Sequence, residues 1–193
     1  MPTTQDWRAR KRDETHQRIY EAAMRLFQER GYDHVSVGEI ASAAGVSVPT
    51  FYAHFATKDH IVMPIPAQEE IDAILAAQPA ELPLGERIRS GILAWLAHYT
   101  PEERDELLQR WRIVIASPVL RNRAGEFERA TAGLVLDALR QDASPYGSPV
   151  TPGVVVTASL SAYTQIIMRW AEEDGSESLE DVAETVLAAL RQL

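Results

Sequence analysis

SVGEIASAAGVSVPTFYAHFATK, residues 36–58, reads as two short helices joined at Gly45. Ile40, Ala41, Ala44 and Val46 on one side of the turn, and Phe51 and Phe55 on the other, form an apolar seam at helical spacing. Such a seam holds two helices at the steep angle of a helix-turn-helix. Ser36 with Glu39 three residues on is a capping box, so the first helix has a defined start. Gly45 is free to take a positive φ where the chain reverses. Ser47 caps the second helix, and Pro49 falls in its first turn, where no helical N–H is missed. DNA is the first partner this stretch brings into view, with Lys58 read as reaching a phosphate.

Upstream, Ile19, Ala22, Ala23, Leu26 and Phe27 recur at three and four and stop at Arg30-Gly31, which is a helix with a glycine stop. Three helices therefore make an N-terminal bundle. Downstream, a fourth helix starts near Thr57 and meets Pro64 and Pro66, each of which removes a backbone donor and crowds the preceding turn. It is expected to kink or restart there. The domain boundary is placed inside it, dividing the chain into residues 1–60 and 61–193.

The remainder reads as helix throughout, for an all-α fold of about nine helices with no strand signal and no internal repeat. Ile88, Ile92, Trp95, Leu96 and Tyr99 share one face; Thr100-Pro101-Glu102-Glu103 and Ser117-Pro118 each combine a cap with a first-turn proline. Residues 142–152, rich in Ser, Gly and Pro, read as a loop. Two amphipathic helices close the chain, the first from about Val154 and the second repeating Leu179, Val182, Ala183, Val186, Leu187, Leu190 and Leu193. Their apolar faces either bury against the body or join a second copy in a four-helix interface, with Leu160, Ile167, Leu179, Val186, Leu187 and Leu190 as the contact residues.

The net charge of −9 over 193 residues is divided unevenly. Residues 1–60 hold eight basic and eight acidic side chains, so the whole excess lies behind them. A neutral module with a basic leader (Arg8, Arg10, Lys11, Arg12) can approach phosphates that repel the acidic body. Zero cysteines exclude a disulfide framework and thiolate metal sites. The expected setting is cytoplasmic, because the N-terminus lacks a secretory apolar core and no apolar run reaches spanning length.

Residues 15–62, THQRIYEAAMRLFQERGYDHVSVGEIASAAGVSVPTFYAHFATKDHIV, resemble the DNA-binding region of TetR-type (TetR/AcrR) transcriptional regulators. Ile19, Ala22, Leu26, Phe27, Gly31, Tyr32, Ile40, Ala41, Ala44, Gly45, Val46, Ser47, Phe51, Tyr52, His54, Phe55 and Lys58 carry the match, over about a quarter of the chain. The resemblance implies a homeodomain-like reader followed by a larger helical domain that binds an effector and forms a homodimer. It places Ser47, Val48, Pro49 and Thr50 nearest the bases and Tyr52, His54 and Lys58 on phosphates, with Arg10 and Arg12 as a basic arm. Val48 and Pro49 offer no side-chain hydrogen bond, so readout there relies on thymine methyls or DNA shape. Two departures stand out: Val37, where many members carry a hydroxyl residue, and the Pro64/Pro66 interruption.

The expected function is that of a ligand-released repressor acting as a homodimer on a palindromic operator. Trp95, Tyr99, Trp111, Phe127 and Tyr163 are candidates to line the pocket of a small, largely apolar effector. Met168 and Trp170 are further candidates, although aromatics at this spacing also build plain core. No metal or cofactor is expected: His98 beside Glu102 and Glu103 lacks metal-ligand spacing, and there is no nucleophile elbow or Gly-rich phosphate loop. The alternatives are a helical carrier or enzyme with a degenerate reader, and an activator of the same fold.

Overall fold

The computed structural model describes residues 4–141 and 150–190. Among them are ten α-helices, one 3-10 turn and no strand: α1 (Thr4–Arg30), the turn (Tyr32–His34), α2 (Val37–Ala43), α3 (Val48–His54), α4 (Asp59–Val62), α5 (Gln68–Ala76), α6 (Leu84–His98), α7 (Pro101–Ala116), α8 (Pro118–Gln141), α9 (Val150–Glu172) and α10 (Leu179–Leu190). The tenth helix arises where nine were expected. Backbone donors are missing at Pro64 and Pro66, so the fourth helix ends at Val62 and a new one starts at Gln68. Thr57 does not cap α4; its hydroxyl bonds His60 Nδ1 at 2.8 Å, and Lys58 takes the cap position.

The basic leader is a helical extension of α1 rather than an arm. Nothing between Thr4 and Arg30 is Gly or Pro, and contacts one turn apart support the exposed turns. The Lys11 ammonium lies 5.0 Å over the Trp7 ring, and the Thr15 hydroxyl donates to the Lys11 carbonyl at 2.9 Å. Gly31, at φ 80°, then ends the helix, its N–H returning to the Phe27 carbonyl at 2.9 Å.

Behind the reader, α9 is the central helix, packed on α6, α7, α8 and α10. Ile166 and Ile167 are 0 % exposed within this single chain. Leu160, Leu179 and Leu187 are likewise buried in the chain's own core. This corrects the expectation that Leu160, Ile167, Leu179 and Leu187 form a shared face: burying apolar surface against α6, α8 and α9 already removes them from water. Of that set only Val186 and Leu190 stay partly exposed. Leu193 and most of the expected loop, residues 142–149, lie outside the described residues, and α9 starts at Val150, ahead of the expected Val154.

Reader and body meet where α4 and α1 pack on α7. Asp59, 4 % exposed, accepts from the Tyr32 hydroxyl and pairs with Arg123 of α8. Ser117, which caps α8 by accepting from Leu120 N–H at 3.3 Å, also donates its hydroxyl to Asp33 Oδ1 at 2.9 Å.

Candidate nucleic-acid interface and cavity

The helix-turn-helix starts at a complete capping box. Glu39 N–H donates to Ser36 Oγ at 3.3 Å, and Ser36 N–H donates to Glu39 Oε2 at 2.8 Å. Arg30 Nη1 adds an ion pair to Glu39 Oε1 at 2.7 Å. These donors, the Ser36 backbone first, hold the Glu39 carboxyl down at about 2. Gly45 takes φ 65° at the reversal. Ser47 Oγ accepts from Thr50 N–H at 3.2 Å and shares a 2.7 Å hydrogen bond with the Thr50 hydroxyl. The seam closes as read, with Phe51 and Phe55 buried and their rings 5.9 Å apart.

What α3 leaves to solvent is its tip and outer face: Ser47, Val48, Pro49 and Tyr52 are exposed, with Thr50 half-buried. His54 is half-buried, and its ring lies 5.8 Å from that of His16, which stacks on Phe55 at 4.2 Å. Desolvation, then repulsion from His54 and Arg12, lowers the His16 pKa; desolvation and Arg12 lower that of His54. Arg10 and Arg12 are exposed on α1. His16 and Arg12 of α1 thus adjoin His54 at the C-terminal end of α3.

Lys58 is placed differently from the sequence expectation. Its ammonium donates to the backbone carbonyls of Tyr32 at 3.1 Å and Val35 at 3.0 Å, and sits 4.0 Å over the Tyr32 ring. The side chain therefore braces the 3-10 turn instead of standing free, and desolvation lowers its pKa. Nothing local in the sequence signals this, because the two carbonyls lie 26 and 23 residues away.

In the body a cavity of about 530 Å³ is lined by all five expected residues, Trp95, Tyr99, Trp111, Phe127 and Tyr163. Trp95 N–H donates to the Tyr99 hydroxyl at 2.9 Å. Burial pushes the Tyr99 and Tyr163 phenols up, so both are neutral hydroxyls. Met168 and Trp170 do not line it; Trp170 N–H instead donates to the Glu177 carbonyl at 3.2 Å. Leu160, expected at an interface, faces this cavity. Among the lining residues that sequence reading did not propose for the pocket are Arg110, Glu128 and residues 62–67, from the last residue of α4 through the connection, which form one wall. Among the described residues no group of three His, Asp or Glu side chains could hold a metal, and no helix is long and apolar enough to cross a membrane.

Comparison with known proteins agrees with this arrangement. Residues 19–63 match the family described as bacterial regulatory proteins, tetR family, and residues 82–193 match the MftR C-terminal domain. The HTH-type transcriptional repressor AcnR of Corynebacterium diphtheriae is 30% identical over 180 residues, 91% of this chain and 90% of that protein. The regulator TcmR of Streptomyces glaucescens is 41% identical over 71 residues, 36% of this chain and 30% of that protein. Crystalline NalD of Pseudomonas aeruginosa, the secondary repressor of the MexAB-OprM multidrug efflux pump, shares the fold with a TM-score of 0.60 at 22% identity, covering 93% of this chain and 96% of its own. A helix-turn-helix with an outward α3 tip, a helical body enclosing a cavity, and similarity along nearly the whole length of a known regulator together make this chain a member of the TetR family of transcriptional regulators.

Proposed function

We propose that this regulator is a ligand-released repressor that binds a palindromic operator as a homodimer. The observation that carries the reading is the shared wall: Val62, the last residue of α4, and the 63–67 connection that follows also line the cavity. An occupant that packs against this wall acts directly on the segment holding the reader. The coupling such a device supplies is typically ~1–3 kcal/mol between ligand and DNA. Two similar proteins are named as repressors, AcnR and NalD, which favours repression over activation.

On DNA, residues 1–60 act as the reader and 61–193 as the effector and dimer unit. Ser47, Val48, Pro49 and Thr50 of α3 meet the major groove, with Val48 and Pro49 supplying methyl contact. Tyr52, His54, Arg10 and Arg12 serve the phosphates, and Lys58 adds its remaining N–H while bracing the turn. Dimerisation uses the faces left uncovered on the closing helices, including Val154 of α9 and Val186 and Leu190 of α10.

Fluorescence anisotropy with the DNA upstream of the protein's own reading frame tests this. Expected is nanomolar binding that weakens steeply with salt, and a clear loss on Tyr52→Ala and Arg12→Ala. Salt-independent or absent binding to that DNA and to a randomised library overturns the reading.

A further inference from the structure

The polar groups of the cavity are unequally satisfied. Two carboxylates line it, and each already accepts a protein hydrogen bond: Glu128 from the Ser161 hydroxyl at 2.8 Å, and Glu70 from the Ala67 N–H at 3.0 Å. The one lining guanidinium, Arg110, has its Nε shut off from solvent with no acceptor. No described carboxylate is ion-paired with it. Arg110 as a whole is half-buried, so the cost falls on this one N–H closed off without an acceptor, and a planar guanidinium recognises a carboxylate through two parallel N–H donors. The Tyr99 and Tyr163 hydroxyls line the same cavity as further neutral polar groups, and the remaining lining is mainly aromatic and aliphatic, with Trp95, Trp111, Phe127 and Ile92 among it.

We infer that the effector is an amphipathic monoanion, a carboxylate with an apolar body, whose head pairs with Arg110 while its body fills the aromatic part of the cavity. This refines the expectation of a largely apolar effector, and it rests on the cavity being the effector site. Arg110 also connects the cavity to the reader. It lies on α7, which packs on α1, and its charge acts on the Tyr20 phenol of that helix. Drawing the guanidinium onto a ligand therefore changes the field at the α1–α7 contact.

Calorimetric titration of the full-length protein with decanoate and with 1-decanol, which share a body and differ in the head, tests the inference. Decanoate is expected to bind about tenfold or more tightly than 1-decanol. Arg110→Leu abolishes that ratio while 1-decanol binding persists, which also reports that the variant is folded; Arg110→Lys restores part of the ratio. Binding of 1-decanol with no gain for decanoate, or an unchanged ratio in Arg110→Leu, overturns the anionic head and leaves the cavity reading standing. If neither compound binds nor weakens the DNA complex, both fall.

Discussion

Asp59, the first residue of α4, is ion-paired with Arg123 of α8, 64 residues away, so the end of the reader is fastened to the body by a carboxylate that is itself almost fully buried. The Tyr32 hydroxyl donates to the same carboxylate, and burial, followed by that hydrogen bond, raises the Tyr32 pKa. Removing one partner of a buried pair typically costs ~3–5 kcal/mol, but the Arg123 side chain keeps 45% of its surface in solvent. Arg123→Met is therefore expected to lower unfolding free energy by about 1–2 kcal/mol in urea denaturation. A double-mutant cycle with Asp59→Asn should recover a coupling of about 1 kcal/mol or more. Additive effects would show that this ion pair does not fasten the two domains.

Lys58 offers a second check on the seam. Because its ammonium is bound to the Tyr32 and Val35 carbonyls, Lys58→Met should destabilise the DNA-free protein by about 1–3 kcal/mol. A lysine serving only phosphates would leave the melting temperature unchanged without DNA.

The two histidines beside α3 make stability and binding depend on pH in opposite senses. Both pKa values are lowered from 6.5 in the fold, so below about 6.5 the unfolded chain binds more protons and stability falls as pH drops. Nearby phosphates favour the charged imidazolium, so DNA binding takes up protons. Affinity measured by anisotropy is expected to rise from pH 7.5 to 6.0 at fixed salt, and His54→Gln should flatten that slope. A slope unchanged in His54→Gln would remove His54 from the phosphate contact.

Core and interface on the closing helices separate by substitution. Ile167→Ala, which empties a site with 0 % exposure, should cost about 2–5 kcal/mol in denaturation. Val186→Glu with Leu190→Glu should instead leave the fold intact and shift the sizing profile from dimer to monomer. A dimer that survives this pair places the interface elsewhere, on the outer face of α8 or α9.

The sequence by itself determined the helices and the reader. Capping boxes, first-turn prolines and three-four apolar spacing act within a few residues, so Ser36 with Glu39, Ser47 with Thr50, and Thr100 with Glu103 stand where local chemistry puts them. The cavity aromatics were legible too, since Trp95, Tyr99, Trp111, Phe127 and Tyr163 all carry a recognisable side chain on a helix face. Only the tertiary structure decided which apolar stripe is core and which is free, because periodicity shows that a face is apolar and is silent on what covers it. The same holds for the charges. Asp59, Lys58 and Arg110 resemble solvated residues in the sequence, and their roles arise from partners, or from the absence of one, tens of residues away. A side chain's electrostatic role is set by distance in space and by exclusion of water, and neither quantity is encoded by its immediate neighbours.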